Sequence, residues 1–367
     1  MQIYAIACNN VENVLYLERE TEQNGGIMMA TIKDVAQRAG VSPSTASRAM
    51  HGSKIISKPT RDKVIKAARE LNYAPDFNAQ NLATKASNTI GVVLPVDHHE
   101  IFSNPFFLEM IRGINEVCSK HGSMTTLATG ISSEELVHNI DVMIAQGHIR
   151  TFILLYSEKD DPVVERLKQF DVQYVVIGKP YQEINKTSYV DNDNVQAGTD
   201  AAQYLVDHGH RRIGFLCTDL SRMVQSDRML GYQRVMMQNQ LPNIMLSERF
   251  ETHAAGVKAL HQFFDQNPDV TAFVAVDDML ALKLQQVLHN DPDWKVKQFS
   301  LIGFNNSIFS DLAHPMLTSI AVFPQRLGEE AAKIALADHP TDELSTAVIV
   351  PHQIVRRHSV HQIKALP

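Results

Sequence analysis

The 367-residue chain reads as two architectures in series: an all-α helix-turn-helix head with a short hinge helix, and a larger α/β body of two lobes. Three observations carry this reading. Residues 31–50 repeat apolar side chains at helical spacing on either side of a tight break. From Thr89 onward, short apolar runs alternate with helical stretches, the pattern of parallel sheets covered on both faces. Charge is also divided: residues 29–90 hold ten Lys/Arg against four Asp/Glu, whereas the whole chain is −7. A small basic head on an acidic body suits phosphate contact by the head alone.

In the head, Ile32, Val35, Ala36 and Ala39 fall at i, i+3, i+4 and i+7 and give a first helix one apolar face. Gly40 ends it as a C-terminal glycine does. Ser42 is an N-cap and Pro43 is tolerated at the first helical position, so a second helix starts at once. Ala46, Ala49 and Met50 turn inward onto Val41 and the first helix. Ser44, Thr45, Ser47 and Arg48 turn outward, as hydrogen-bonding groups of little bulk. Such a pair is the geometry of a major-groove reader. Ser57 and Pro59 open a third helix with Val64, Ala68 and Leu71 inward, ended by Asn72.

In the body, strands are expected at 90–94, 124–128, 152–156, 174–177, 213–217, 272–276 and 299–303. Helices are expected at about 105–121, 134–146, 162–170, 195–208, 226–239, 254–264 and 279–289. The length from Thr89 suggests two lobes, and ligands of such sheets bind beyond the carboxyl ends of the strands. Polar residues gather there: Thr218 and Asp219, Asp277 and Asp278, Asn305 and Asn306.

Other features exclude rather than assign. Cys8, Cys118 and Cys217 are widely spaced and read as free thiols of a reducing compartment. The longest apolar runs have buried-strand length, which predicts no membrane span, and the acidic N-terminus lacks the basic region of a signal peptide. Histidines are scattered without HExxH spacing, and His98 and His99 read as loop residues, so no metal is expected. The absence of a dinucleotide fingerprint, a Walker lysine motif and a G-x-S-x-G elbow predicts no cofactor and no catalytic residue; the chain is expected not to be an enzyme. Asp160-Asp161 precede Pro162, where helix capping accounts for them. Residues 1–28 show no clear period, and Gly25-Gly26 before Met28 and Met29 suggest an upstream start-site error rather than a genuine arm.

The segments TIKDVAQRAGVSPSTASRAM, LNYAPDFNAQNLATKAS and IGVVLP together resemble the LacI/GalR family of transcriptional repressors, over nearly the whole length from Met29 to about His358. The resemblance implies a DNA-binding domain at 29–76, a hinge helix and linker at 77–88, and a two-lobe, periplasmic-binding-protein-like effector and dimerisation domain at 89–367. It implies that Arg48, with Pro43 and Ser44, approaches base edges, while Thr45, Ser47, Tyr73 and Asn78 position the head on the backbone. Thr31, Ser42, His51 and Ala79 complete the expected DNA-contact set. Leu82 would wedge between base steps in the minor groove. The hinge, about two turns long, is marginal alone and would fold only beside its symmetry mate on DNA.

For the effector, Arg228-Met-Leu-Gly-Tyr232 resembles the family's R-x-x-G-[YF], whose arginine reaches a sugar hydroxyl. Asn305 stands where the family has a carboxylate, so Asp277, with Asp278 as a further candidate, is expected to supply the acidic contact. Arg228 and Asp277 are expected to face each other across the cleft, with Phe107 stacking on a pyranose face and Ser157 as a weaker candidate. The implied partners are operator double-stranded DNA, a small sugar and a second copy of the chain, in the cytoplasm on the nucleoid. LATGISSEE, FILLYSEKDD and FLCTDLS look most like maltose-operon repressors of Gram-positive bacteria, with galactosides, other glucosides and pentoses left open. A global catabolite regulator with a phosphoprotein corepressor, and a two-lobe solute-binding protein, are the alternatives.

Overall fold

The computed structural model describes residues 30–50, 53, 55–73, 88–96, 104–295, 297–337 and 345–363. The chain divides at residues 83–84 into two compact units. The described residues of the first hold three helices: α1 (Ile32–Ala39), α2 (Pro43–Met50) and α3 (Lys58–Glu70). Thr31 and Asp34 cap α1 reciprocally, the Thr31 N–H reaching Asp34 Oδ2 at 2.7 Å. Gly40, at φ 67°, closes the same helix by donating to Ala36 and Gln37. The Ser42 hydroxyl accepts from Thr45 N at 3.2 Å and so caps α2. Val35, Ala36, Ala46, Ala49, Val64, Ala67 and Ala68 form the core, with Ile32, Ala39, Val41 and Met50 at its margin. Five of those seven core residues are alanines, which let three short helices approach closely. An Arg38–Glu70 ion pair at 3.0 Å ties α1 to α3.

The second unit is built on two six-stranded sheets. In the first, β1 (Thr89–Val93), β2 (Met124–Ala128), β3 (Thr151–Leu154), β4 (Gln173–Ile177), β5 (Ser188–Asn192) and β11 (Ala347–Val350) run parallel in the order β11-β5-β4-β3-β1-β2. The second comprises β6 (Ile213–Cys217), β7 (Ile244–Ser247), β8 (Ala272–Ala275), β9 (Ser300–Phe304), β10 (Thr318–Ala321) and β12 (Gln353–Val355). Its order is β12-β10-β9-β8-β6-β7, with β12 antiparallel to its neighbour. Helices α4 (Phe106–Lys120), α5 (Ser133–Ala145), α6 (Pro162–Gln169), α7 (Asn194–Asp207), α8 (Met223–Gln238), α9 (His253–Gln266) and α10 (Asp278–Asn290) match the expected ones to within a turn. Two further helices, α11 (Ile308–Leu312) and α12 (Pro324–Leu336), and strands β5, β7, β10, β11 and β12 add to the elements expected from the sequence.

The chain crosses between the lobes three times: from β5 to α7, from β10 to α12, and from β11 to β12. Leu327 and Ala331 of α12 join the core of the first lobe, whereas β10 belongs to the second. Asn192, at the end of β5, holds all three crossings together. Its Nδ2 donates to the carbonyls of Val322 at 3.1 Å and Val350 at 2.9 Å, the other two crossing segments. Both hydrogens of one buried amide are thereby used, which fixes the line about which the lobes are joined.

Candidate ligand cleft and nucleic-acid interface

A cleft spanning about 1100 Å3, open solvent included, lies at the carboxyl ends of both sheets. All five residues expected to contact the effector line it: Phe107 and Ser157 from the first lobe, Arg228, Asp277 and Asn305 from the second. The position of Arg228 follows from its local sequence. One turn further along α8, the buried Tyr232 hydroxyl donates to the Ile213 carbonyl at 2.8 Å and accepts from Ile244 N at 3.0 Å, which anchors the helix on the sheet. Between them, Gly231 lies against α7, where a Cβ would fall 2.1 Å from the Val195 carbonyl oxygen. The i, i+3, i+4 spacing thus packs two residues and aims the third.

Arg228 is 5% exposed. Its Nε donates to Asn194 Oδ1 at 3.0 Å and its Nη1 to the Val276 carbonyl, and the guanidinium lies 4.2 Å from the centre of the Phe304 ring. Burial pushes its pKa down to about 10, opposed by Asp277, Asp191 and Asp278, so the group stays charged at neutral pH.

Two expectations are corrected. Arg228 and Asp277 do not oppose each other across the cleft, because α8 and the β8–α10 turn belong to the same lobe. Asp277 is the N-cap of α10, its Oδ1 accepting from Leu280 N at 2.7 Å, and the residue lines the cleft as well. Burial raises its carboxyl pKa, opposed by that bond and by Arg228. Asp278 does not line the cleft. It is 1% exposed and accepts from the Ser319 hydroxyl at 2.6 Å and from Ser307 N at 2.7 Å, which stitches α10 to β10 and the start of α11. Asn305 leaves β9 at φ 96°, a conformation that Asn tolerates better than most residues, and donates its N–H to Ile320 at 2.8 Å. Turn forming and cleft lining therefore coincide there. Ser157 donates its hydroxyl to the Lys179 carbonyl at 2.8 Å, joining the ends of β3 and β4.

The cleft also holds groups the sequence reading missed. Asp191, at the end of β5, accepts from Asn194 Nδ2 at 3.0 Å, so that Asp191, Asn194 and Arg228 form a chain between the lobes. Burial pushes Asp191 up to about 6, against the pull of Asn192 and Arg228. Tyr181, beyond β4, reaches the other lobe: its hydroxyl donates to the Ser221 carbonyl and accepts from Met223 N at 2.6 Å. Arg222 makes no side-chain cap to α8, so the helix bearing Arg228 receives a cap from the opposite lobe. Lys179 and Asp227 add an inter-lobe ion pair at 3.8 Å.

His261, Asp291 and Asp293 bring ligand-type atoms within 4.8 Å of one another, but none lines the cleft, and Asp291 Oδ1 already accepts from Asp293 N at 2.9 Å. No described helix is long and apolar enough to cross a membrane. Cys118 and Cys217 are buried free thiols.

On the head, Ser42, Pro43, Ser44 and Arg48 are exposed, and Thr45 and Ser47 are half-buried along the same helix start. The Ser42 hydroxyl is within hydrogen-bond distance of the Ser44 and Thr45 hydroxyls, at 3.0 and 2.8 Å. Thr31 is committed to capping α1, and Tyr73 packs against the three-helix core. His51, Asn78, Ala79 and Leu82 lie outside the described residues, as do Cys8, His98, His99 and residues 1–28.

A helix-turn-helix joined to a two-sheet body with a polar cleft at the strand ends defines a DNA-binding regulator with a ligand-sensing domain. Residues 31–76 match the model for bacterial regulatory proteins of the lacI family, and residues 202–360 match a periplasmic binding protein-like domain. The HTH-type transcriptional regulator MalR of Staphylococcus xylosus is 32% identical over 343 residues, covering 92% of this chain and 99% of that protein. The regulator CelR of Thermobifida fusca is 30% identical over 332 residues, covering 89% and 97%. A solved CelR–cellobiose complex superposes with a TM-score of 0.65 at 26% identity, over 90% of this chain and 99% of that one. The chain belongs to the lacI family of transcriptional regulators.

Proposed function

We propose that the chain is a homodimeric repressor of carbohydrate-utilisation genes, with maltose or a related saccharide in the cleft setting its affinity for operator DNA. The single observation that carries the sugar reading is the cleft lining itself. It brings a buried guanidinium, a carboxylate, an amide and Phe107 to one cleft, the kinds of donor, acceptor and apolar group that a pyranose needs. The relatives named MalR and the cellobiose-bound CelR agree with a saccharide. In this reading residues 29–76 read DNA, residues 77–88 form the hinge, and residues 89–367 sense the effector and dimerise. Arg48, Pro43 and Ser44 meet base edges, Thr45, Ser47, Tyr73 and Asn78 position the head on the backbone, Thr31, Ser42, His51 and Ala79 complete the contact set, and Leu82 enters the minor groove. Exposed Leu108, Met124 and Leu127, on α4 and the edge strand β2, offer apolar surface to a second copy. The protein works in the cytoplasm on the nucleoid and catalyses no reaction.

Operator titrations with and without maltose, cellobiose, galactose and ribose, beside calorimetry of each sugar, test this. A sugar that binds and shifts operator affinity is expected; binding by none of them removes the sugar reading. Leu82→Ala is expected to weaken operator binding while leaving sugar affinity intact, and an unchanged operator affinity and bend angle overturn its wedge role.

A further inference from the structure

The turn that follows β9 is held in an uncommon shape. Asn305 and Asn306 follow one another at φ 96° and φ 50°, left-handed conformations that two consecutive residues other than glycine keep only where their surroundings fix them. On one side the fixing comes from Asp278. Ser307 N donates to its Oδ2 at 2.7 Å, and the Ser319 hydroxyl, which donates to its Oδ1, accepts from Asn306 N at 2.9 Å. The other side is held from 51 residues further along the chain: the Arg357 side chain, 12% exposed, donates from Nη2 to Asn306 Oδ1 at 2.8 Å.

Arg357 has a fixed base from which to reach the turn. Its backbone N–H donates to Thr318 Oγ1 at 3.0 Å. Two residues on, the buried Ser359 hydroxyl donates to the Leu301 carbonyl at 2.6 Å and accepts from Thr318 N at 2.8 Å, which stitches the segment after β12 to β9 and β10. The guanidinium then spans three segments: Asn306 in the turn, Asp311 of α11 at 2.8 Å from Nε, and the Leu317 carbonyl at 3.1 Å from Nη1. A planar fork loses less freedom in holding several acceptors than a flexible ammonium does. Neither Arg357 nor Asn306 lines the cleft, whereas Asn305 does. The backbone under Asn305 runs straight into Asn306, so the grip on Asn306 governs where the Asn305 amide points.

We propose that Arg357 is a positioning residue of the effector site: by holding Asn306 it aims the Asn305 amide into the cleft. The proposal rests on the reading of the cleft as a sugar site. Without the tether the turn has other conformations open to it, and the effector binds only the fraction of molecules whose amide is in place. A turn that is competent for about a third to a tenth of the time weakens apparent affinity about three- to tenfold.

Calorimetry with maltose, cellobiose, galactose and ribose, beside Tm, tests it on wild type, Arg357→Met, Asn306→Gly, Asn306→Asp, Asp311→Asn and the double variant Arg357→Met with Asn306→Gly. Glycine accepts the positive φ and deletes the tethered oxygen; aspartate keeps both; Asp311→Asn weakens the hold on α11 alone. Arg357→Met and Asn306→Gly are each expected to weaken the sugar that wild type binds about three- to tenfold, and together no more than either alone. Asn306→Asp and Asp311→Asn are expected to keep wild-type affinity, whatever their effect on Tm. Affinity losses that add in the double variant, or a loss in Asp311→Asn equal to that of Arg357→Met, show a merely structural arginine, overturning the positioning role and leaving the cleft reading standing. Wild-type affinity in Asn306→Gly overturns it too, and decides the matter even if Arg357→Met fails to fold. Binding of none of these sugars by wild type overturns the cleft reading and the proposal with it.

Discussion

Replacing Arg228 by Met separates its charge from its bulk. Methionine fills much of the volume of the arginine stem, but the contact with the Phe304 ring is made by the guanidinium and goes with it. What disappears is the donor to Asn194 Oδ1 and to the Val276 carbonyl, and the positive charge facing Asp277 and Asp191. Leaving a buried acceptor unpaired costs about 1–3 kcal/mol, and removing one partner of a buried charge pair about 3–5 kcal/mol. The cleft admits water and the carboxylates can take up protons, so the net loss of unfolding free energy is expected near the lower end, about 2–4 kcal/mol at pH 7.5. The sign of the pH dependence follows from the same groups. Arg228 lowers the folded-state pKa of both carboxylates, so its removal raises them further above their unfolded values. The extra penalty is complete above the variant's raised folded pKa and vanishes as pH falls below the wild-type folded value, about 6 for Asp191, because the unfolded chain titrates alike in both. Urea unfolding of wild type and variant at pH 7.5 and 5.0 therefore gives a difference that shrinks at the lower pH, and sugar affinity falls by about ten- to a hundredfold. A stability difference equal at the two pH values, with unchanged sugar binding, refutes the charge argument.

Tyr181→Phe removes the hydroxyl that caps α8 from the other lobe; a loss of about 1 kcal/mol of closure, hence roughly fivefold weaker sugar binding, is expected without a change in Tm. Unaltered affinity and an unaltered scattering radius with and without sugar count against the latch. Arg48→Ala is expected to cost about 1–3 kcal/mol of operator binding and little of non-specific binding; gel shifts with operator and scrambled duplexes that keep their wild-type ratio remove Arg48 from base reading. His210 is 1% exposed between the Thr271 hydroxyl and the His361 carbonyl, and burial pushes its pKa down to about 4. The unfolded chain protonates first, so the stability this histidine permits is complete above pH ~6.5 and declines by up to about 3 kcal/mol as pH falls toward 4. His210→Gln is expected to flatten that part of the wild-type profile, and parallel profiles contradict the assignment.

What could be read in the sequence depended on how far apart the interacting residues lie. The head is legible because its signals are local: Thr31 with Asp34, Gly40 with Ala36, and Ser42 with Thr45 each act within four residues. The R-x-x-G-Y turn of α8 is legible through its resemblance to the family's motif. Asp277 shows why two readings of one residue coexisted, since it both caps α10 and lines the cleft. Strands such as β5, Ser-Tyr-Val-Asp-Asn, carry no apolar run of their own and become strands only between β4 and β11. Asp191 was missed along with that strand, although it shares the network that places Arg228. Asn192 marks the limit most clearly. Its partners Val322 and Val350 are 130 and 158 residues away, and both are backbone carbonyls, which any residue type would present. No local pattern encodes such a clasp; it exists only once all three crossings have met, and so the joint on which closure turns is the part of the site that the sequence discloses least.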